Sequence, residues 1–208
     1  IKVWYQFLWI NFFRKNSYAS LKKFNLIIPT SNCVFDIHPT AKIVIEGIVI
    51  VGYSKVKGST LETRIQLESD SKLSFNDRFT IYAGADIQVF KTGELIFNGG
   101  ASSGCNLYCQ IICADKILIG KDTLIGRNVV IRDYDAHYII QDNYKIKAPI
   151  IIGDNCWITE GALISKGVTI GNGSIVAARS WVIRNVPENT LVGGSPAMPI
   201  QKNIEWKI

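Results

Sequence analysis

The chain has little of what several common classes of protein require. Only two histidines, His38 and His137, occur among its 208 residues, so one chain cannot supply a zinc centre that needs three histidine ligands. Its 23 basic residues never form a run of more than two, and no segment interleaves them with aromatic residues. The net charge of +6 therefore favours anionic small molecules or a membrane surface as partners, and no nucleic-acid partner is expected.

The five cysteines are odd in number and include no C-x-x-C pair. Cys105, Cys109 and Cys113 are spaced by four residues, but the sequence around them is not typical of a helix. Zinc sites usually pair such elements or add histidines. We therefore expect no metal site, and we expect reduced cysteines that act as small core residues of a cytoplasmic protein.

The N-terminal segment IKVWYQFLWINFF is rich in aromatic residues but shorter than the roughly 20 apolar residues that cross a bilayer. It has no small-residue cleavage site. We expect residues 2–24 to be helical. We expect the segment to pack on the domain or on a neighbouring subunit. With the following RKN, a peripheral contact at the inner face of a membrane is the alternative.

A period of six residues runs through the second half of the chain. From Ile152 onward each hexapeptide begins with Ile or Val, and most have a small or β-branched fifth residue. These first positions are Ile152, Ile158, Ile164, Ile170, Val176 and Val182, and an earlier block in one phase begins at Val89, Leu95, Ala101, Leu107, Cys113, Ile119, Ile125 and Ile131. This period fits neither a helix nor a β-meander. A six-residue unit gives one strand and one corner, three units close a triangular coil, and stacked coils pair their strands in parallel.

The repeats predict an all-β fold, a parallel β-helix. We expect a short helical cap over residues 1–30, a β-helix over 31–187 whose first, less regular coils begin near Val34, and a closing segment over 188–208 rich in proline and glycine. A cap is expected because a terminal coil would otherwise expose unpaired backbone.

Three stretches carry a resemblance to a known family: IRDYDAHYI, the run APIIIGDNCWITEGALISKGVTIGNGSIVAARSWVIRNVP, and ENTLVGGSPAMPI. Over roughly residues 101–206 the chain resembles the hexapeptide-repeat acyltransferases, whose fold is a left-handed parallel β-helix. It looks like the branch of galactoside, maltose, capsule and O-antigen O-acetyltransferases. The resemblance implies a homotrimer with sites between subunits, acetyl-CoA as donor, and a sugar hydroxyl of a surface polysaccharide or its precursor as acceptor.

The phase of the repeats breaks at the D-x-D-x-H stretch. His137 falls on the next expected inward position after Ile131, but regular hexapeptides resume only at Ile152. The interval of fifteen residues is not a multiple of six, so we predict an excursion from the coil over residues 138–151, with His137 at its root. In the family such a loop reaches toward the neighbouring subunit.

The resemblance gives His137 the part of general base, which deprotonates the attacking hydroxyl and then protonates the departing thiolate. Asp135, Asp133 or a backbone carbonyl could fix its tautomer. Asp135 is ranked first by closeness, Asp133 is counted with the substrate-binding residues, and either could instead cap the turn. Asn106 and Trp157 match residues of the acceptor site, although a corner asparagine and a trimer contact are the alternatives.

For coenzyme A the resemblance implies a groove between adjacent β-helices. The matching positions are Glu160, Ala178, Ile183 and Arg184, and Arg184, Arg179 or Lys202 could replace the family's contact with the 3′-phosphate. The chain departs from the family pattern after G-x-P-A, where Met198 and Gln201 replace the usual basic residues. Two further readings stay open, N-acetylation of an amino-sugar nucleotide and a non-catalytic scaffold that would not bind acetyl-CoA.

Overall fold

The computed structural model describes residues 2–14, 17–18, 23–30, 32–54 and 57–207. The chain begins with helix α1 (Lys2–Leu8), which continues as a π-helical segment (Trp9–Phe13). The predicted helix over residues 2–24 is thus too long, since the helical part ends at Phe13; residues 15–16 and 19–22 of it lie outside the described residues.

Three sheets form the faces of the fold, with strands numbered in chain order. Sheet one contains β1 (Ser17–Tyr18), β4 (Lys42–Ile45), β7 (Lys72–Phe75), β10 (Glu94–Phe97), β13 (Lys116–Ile119), β16 (Ile150–Ile152) and β19 (Thr169–Ile170). Sheet two contains β2 (Leu26–Pro29), β5 (Ile48–Tyr53), β8 (Phe79–Tyr82), β11 (Gly104–Cys105), β14 (Leu124–Ile125), β17 (Trp157–Ile158), β20 (Ile175–Val176), β22 (Thr190–Gly194) and β23 (Ala197–Lys202). Sheet three contains β3 (Cys33–Ile37), β6 (Thr63–Leu67), β9 (Asp86–Val89), β12 (Gln110–Cys113), β15 (Val130–Arg132), β18 (Leu163–Ser165) and β21 (Trp181–Val182).

The pairing of these strands is that of a β-helix. The chain visits sheets one, two and three in turn, and each strand up to β18 pairs in parallel with the strand three further along. The first coil is earlier than predicted, because β2 already pairs with β5. At the other end β22 pairs with β20, and β23 folds back antiparallel on β22 to close the stack. The predicted fold class is confirmed.

The hydrophobic core is a stack of inward ladders. All six first positions from Ile152 to Val182 are buried, as the period predicts. The single phase predicted for the earlier block is wrong at two points, since Ala101 is exposed and Leu107 only half-buried. The corner between β10 and β11 is longer than two residues, so the register of six is lost there, and the next position of the predicted phase that is buried is Cys113.

Polar groups at the N-terminal end close the first coil. The buried Asn11 amide donates to the Ile27 carbonyl at 2.8 Å and accepts the Ile27 N–H at 2.8 Å, which is how a neighbouring strand would bond to β2. Arg14 donates to the carbonyls of His38 and Ala41 at 2.9 and 2.8 Å. The helical segment therefore caps backbone groups that a terminal coil would otherwise leave unpaired.

All five cysteines are buried, and none lies on a helix. Among the described residues, no group of His, Cys, Asp or Glu has the arrangement of a metal site. No described helix is both long enough and apolar enough to cross a membrane.

Candidate active site

The D-x-D-x-H stretch begins an excursion from the coil. Strand β15 of sheet three ends at Arg132, and the next strand, β16 of sheet one, begins at Ile150. The two arms of the excursion run antiparallel: the Ala148 N–H donates to the Asp133 carbonyl at 2.9 Å, and the Asp135 N–H donates to the Ile146 carbonyl at 2.8 Å. The excursion is thus a hairpin that leaves the coil at Asp133, earlier than the predicted residue 138.

Asp133 is fully buried at the base of this hairpin. Its two carboxylate oxygens accept the backbone N–H groups of Ala114 and Asp115 at 2.7 and 2.9 Å. Burial raises the pKa of this carboxyl above its usual value, although the two backbone hydrogen bonds act in the opposite direction. The carboxylate therefore caps the backbone of the corner below it. Asp133 was expected to bind substrate, but its buried side chain is not accessible to one.

His137 lies further out on the hairpin, where it is exposed. The expected inward position is wrong, because the chain has already left the coil at Asp133. Within the described part of the chain, no hydrogen bond reaches the His137 imidazole, and the direct bond expected from Asp135 is not formed. Tyr138, Ile139 and Ile140, which follow it, are 62%, 54% and 97% exposed, so the hairpin tip is an apolar surface.

The Asp135 carboxylate joins the hairpin to the next coil. It accepts hydrogen bonds from the Lys166 ammonium and from the Tyr144 hydroxyl. The Lys166 Nζ also lies 3.4 Å from the Tyr144 hydroxyl oxygen and 4.5 Å from the centre of that ring. The Tyr144 hydroxyl is 3.5 Å from the His137 carbonyl oxygen. Lys166 follows β18 directly, so this cluster connects the backbone of His137 to the rigid stack.

The cluster shifts the pKa of each member. Burial raises the pKa of Asp135, but the bonds from Lys166 and Tyr144 lower it more, so the net pKa is lowered. Burial lowers the pKa of Lys166, whereas its bonds to Asp135 and Tyr144 raise it more, so the net pKa is raised. The bond to Asp135 raises the pKa of the Tyr144 hydroxyl. Asp135 and Lys166 thus both favour their charged forms at neutral pH.

Asn106 and Trp157 line one groove of about 290 Å³ on sheet two. The Asn106 Oδ1 atom accepts the Leu107 N–H at 2.8 Å, which leaves its NH₂ group to face a ligand. Trp157 is 42% exposed, and its ring lies 5.7 Å from the ring of Trp206, centre to centre, at 35°. Part of the surface expected to cover Trp157 is thus supplied by the closing segment of the same chain.

The site residues predicted from the sequence fall into two groups at different corners of the coil. The Asn106 corner, where the chain turns from sheet two to sheet three, also carries Glu160 and Ala178. The His137 corner, where the chain turns from sheet three to sheet one, also carries Ile183 and Arg184.

Within each corner the residues belong to different coils of the stack. Glu160, Ala178, Ile183 and Arg184 are exposed, as a groove between β-helices requires. Lys202 ends the antiparallel strand β23 at the edge of sheet two and is also exposed. A single chain therefore presents two half-sites separated by the width of sheet three.

Several residues of both half-sites were missed from the sequence. Lys166 and Tyr144 hold Asp135, and Trp206 packs on Trp157. Thr80, Tyr82, Ser102 and Ser103 line the groove beside Asn106. A signal for Lys166 was available, because Arg132 of β15 pairs with Ser165 of β18. In this register Lys166 follows Ser165 as Asp133 follows Arg132, so Lys166 lies one coil above the start of the hairpin. No sequence signal marked Tyr144 or Trp206.

The fold is a parallel β-helix, and comparison with known proteins shows that the chain is an acetyltransferase. No family model matches the chain. WbbJ of Escherichia coli (strain K12), whose name describes a lipopolysaccharide biosynthesis O-acetyl transferase, is 30% identical over 156 residues, which are 68% of this chain and 78% of that protein. The chain belongs to the hexapeptide-repeat acetyltransferase family, in the branch similar to galactoside and maltose O-acetyltransferases.

Two solved structures agree in fold. The polysialic acid O-acetyltransferase OatWY is 21% identical, with a TM-score of 0.63 over 88% of this chain and 90% of its own. The polySia-specific acetyltransferase NeuO is 25% identical, with a TM-score of 0.51 over 88% of each chain. The chain spans about half the length of several other curated relatives, 48% and 56% for two of them.

Proposed function

We propose that the protein transfers an acetyl group from acetyl-CoA to a hydroxyl of a sugar in a surface polysaccharide or its precursor. The reaction takes place in a complex of enzyme and both substrates, with His137 as general base. It runs in the cytoplasm, where acetyl-CoA is available. Transfer to the amine of an amino-sugar nucleotide is the closest alternative, because the same base would serve it.

One observation carries the proposal: the acceptor-type residues and the histidine occupy different corners of the coil. Asn106 and Trp157 face a groove, His137 stands exposed on a hairpin, and each corner also bears residues expected to contact coenzyme A. A second chain brings such half-sites together if its His137 corner packs beside the Asn106 corner of the first. Repeating this contact around a threefold axis closes a trimer with three sites.

The chemistry follows from the groups that meet in such a site. The acceptor hydroxyl gives its proton to the His137 imidazole as its oxygen attacks the thioester carbonyl. The carbon–sulfur bond then breaks, and the thiolate of coenzyme A takes the proton from the imidazolium. Because the His137 ring makes no hydrogen bond within the described chain, both nitrogens remain free for substrate and for a group of the neighbouring subunit.

A coenzyme A release assay over a panel of sugars tests the base. We expect His137→Ala to lower turnover about a hundred-fold or more, as removal of a general base does. His38→Ala is the matched control, because His38 is the other exposed histidine and, among the described residues, its ring bonds only to Thr40, at 3.0 Å and 3.2 Å. Turnover in His137→Ala equal to that of the control contradicts the proposal, and transfer to amino-sugar nucleotides alone favours the alternative.

Mixed oligomers test the arrangement of the two half-sites. Chains with His137→Ala are co-refolded in equal amounts with chains carrying Asn106→Ala and Trp157→Ala, each inactive alone. If each site takes its histidine from one subunit and its groove from the next, random trimers regain about a quarter of wild-type activity, since three in four are mixed and each of these has one intact site. No recovery, although light scattering shows trimers, means that the site lies within one chain.

The N-terminal segment suits a peripheral contact with the membrane on which a lipid-linked acceptor would lie. Trp4, Tyr5 and Phe13 are 71%, 67% and 74% exposed. Interfacial helices bury such side chains at the headgroup boundary. Replacing these three residues with serine should abolish co-sedimentation with anionic vesicles while leaving turnover of a soluble acceptor unchanged. Persistent co-sedimentation, or loss of the trimer instead, contradicts the membrane contact.

A further inference from the structure

Resting on the acetyl transfer proposed above, we infer that the groove accepts an uncharged sugar unit and that Ser103 binds one of its hydroxyls. The inference concerns the substrate class of the same site. It separates this protein from the polysialic acid O-acetyltransferase OatWY and the polySia-specific NeuO, whose names refer to a polymer of sialic acid, an acidic sugar.

No described residue that lines the groove has a charged side chain. All of its lining residues are neutral: Thr80, Tyr82, Ala101, Ser102, Ser103, Gly104, Asn106, Leu124, Ile125, Gly126 and Trp157. A carboxylate that enters such a groove loses water without gaining a cationic partner from the lining that this chain supplies, which is an unfavourable exchange. Hydroxyl groups lose little there, because serine, threonine, tyrosine and asparagine side chains can replace their water. The lining therefore selects for neutral, hydroxyl-rich ligands.

Ser103 supplies the specific observation. It is 4% exposed, and its hydroxyl oxygen has no hydrogen-bond partner among the described residues. Its backbone is fixed, since its N–H donates to Gly100 at 3.3 Å and its carbonyl accepts the Thr80 N–H at 3.1 Å. A buried hydroxyl without a partner is unfavourable, and a ligand hydroxyl in the groove would remove that penalty. The Ser103 side chain is thus prepared to bind a polar ligand.

The remaining walls match the two faces of a sugar ring. Trp157 presents a flat, partly exposed apolar surface on which the C–H face of a pyranose can stack. The Asn106 NH₂ group is available as a donor to a ring hydroxyl. A volume of about 290 Å³ is small for a ligand site and suits one sugar unit at a time.

The test compares two classes of acceptor with wild type and two serine variants. Neutral hexosides and N-acetylhexosaminides are assayed against sialic acid oligomers at equal concentration, with coenzyme A release as readout. We expect kcat/KM for neutral acceptors to exceed that for sialic acid oligomers about a hundred-fold, an effect of the order found where a buried charge has no partner. We expect Ser103→Ala to raise the acceptor KM roughly three- to ten-fold, as loss of one neutral hydrogen bond does, with the KM for acetyl-CoA unchanged.

Ser74→Ala is the matched control. The Ser74 hydroxyl is also buried and unpartnered among the described residues, but it lies in β7 on sheet one and does not line this groove. An unchanged acceptor KM in Ser103→Ala, or an equal change in Ser74→Ala, overturns the inference that Ser103 binds a hydroxyl of the acceptor. Preference for sialic acid oligomers, with turnover that still depends on His137, overturns the neutral-acceptor inference alone. No acetyl transfer to any acceptor, or turnover indifferent to His137, instead defeats the proposed function.

Discussion

The bond between Lys166 and Asp135 is expected to hold the hairpin that carries His137 in its working position. Lys166 belongs to the stack, Asp135 belongs to the hairpin, and Tyr144 links Asp135 to the His137 backbone. The side chains of Lys166 and Asp135 are 22% and 42% exposed. Because Asp135 is more than a third exposed, solvent screening limits the ion pair to about 1 kcal/mol.

Lys166→Ala should therefore lower kcat and destabilise the fold only slightly. If about 1 kcal/mol of the preference for the working hairpin conformation is lost, kcat falls roughly five-fold. The apolar ladders do not involve Lys166, so the free energy of unfolding should fall by no more than about 1 kcal/mol. The KM for acetyl-CoA should stay unchanged, and Lys166→Arg should restore most of kcat because it keeps the positive charge.

The pH dependence of kcat gives a second measurement, which a loss of stability alone would not change. The lowered pKa of Asp135 means that its contribution to stability is present above its unfolded pKa and is lost as pH falls through the lower folded pKa. The gap in kcat between wild type and Lys166→Ala should thus be constant above about pH 5 and narrow in acid.

Steady-state kinetics with a saturating sugar acceptor provide the assay, and Lys145→Ala is the control. Lys145 is an exposed lysine of the same hairpin with no ion pair among the described residues. Equal kcat in Lys166→Ala, Lys145→Ala and wild type would refute the reasoning, as would a Lys166→Arg variant as slow as Lys166→Ala.

Three further predictions concern stability and the groove. Asp133→Asn should cost about 1–3 kcal/mol in urea unfolding, because one amide N–H₂ would face a backbone N–H. Burial raises the pKa of Asp133, so its protonation stabilises the wild-type fold below the unfolded pKa near 3.8, and that contribution is lost as pH rises through the higher folded pKa. The difference in unfolding free energy between wild type and Asp133→Asn should thus grow in acid. A difference that does not change with pH contradicts the assignment. Phe97→Ala should cost about 3–5 kcal/mol, since its ring stacks on Phe75 at 5.1 Å and lies 4.3 Å from Phe79 in the core; a loss below about 1 kcal/mol in calorimetry would contradict the packing. Trp206→Ala should raise the acceptor KM without changing the KM for acetyl-CoA, because Trp206 supports the Trp157 ring; equal changes in both would contradict this.

The β-helix could be predicted from the sequence because its core uses fixed positions in every six residues. Residues such as Ile158 and Ala162 must be apolar or small wherever strands stack in register, so the period survives without any knowledge of the fold. Corner lengths carry no such constraint, since extra residues can protrude into solvent. That is why the phase failed at Ala101 and Leu107, where a longer corner precedes β11.

The candidate site was only partly predictable, for a related reason. The D-x-D-x-H motif identified His137, and the matches at Asn106 and Trp157 are consistent with the groove that both residues line. Lys166 lies 31 residues from Asp135 in the chain, and only the coil stacking brings their side chains together. The division of the site residues between two corners became visible once each residue was assigned to a sheet.

The backbone bonding of sheet three explains why an aspartate stands at position 133. In successive coils the residue after each inward rung donates its N–H to the carbonyl of the rung above: His38 to Leu67, Glu68 to Val89, and Phe90 to Cys113, at 2.8–2.9 Å. Ala114 should donate in the same way to the Asp133 carbonyl.

That carbonyl is turned instead toward the returning arm of the hairpin, where it accepts the Ala148 N–H. The Ala114 N–H would be buried without a partner, at a cost of about 1–3 kcal/mol. The Asp133 side chain supplies the missing acceptor at 2.7 Å, and its second oxygen takes the Asp115 N–H. A carboxylate in an inward ladder thus lets the β-helix open for the hairpin that carries His137 without breaking the coil beneath it.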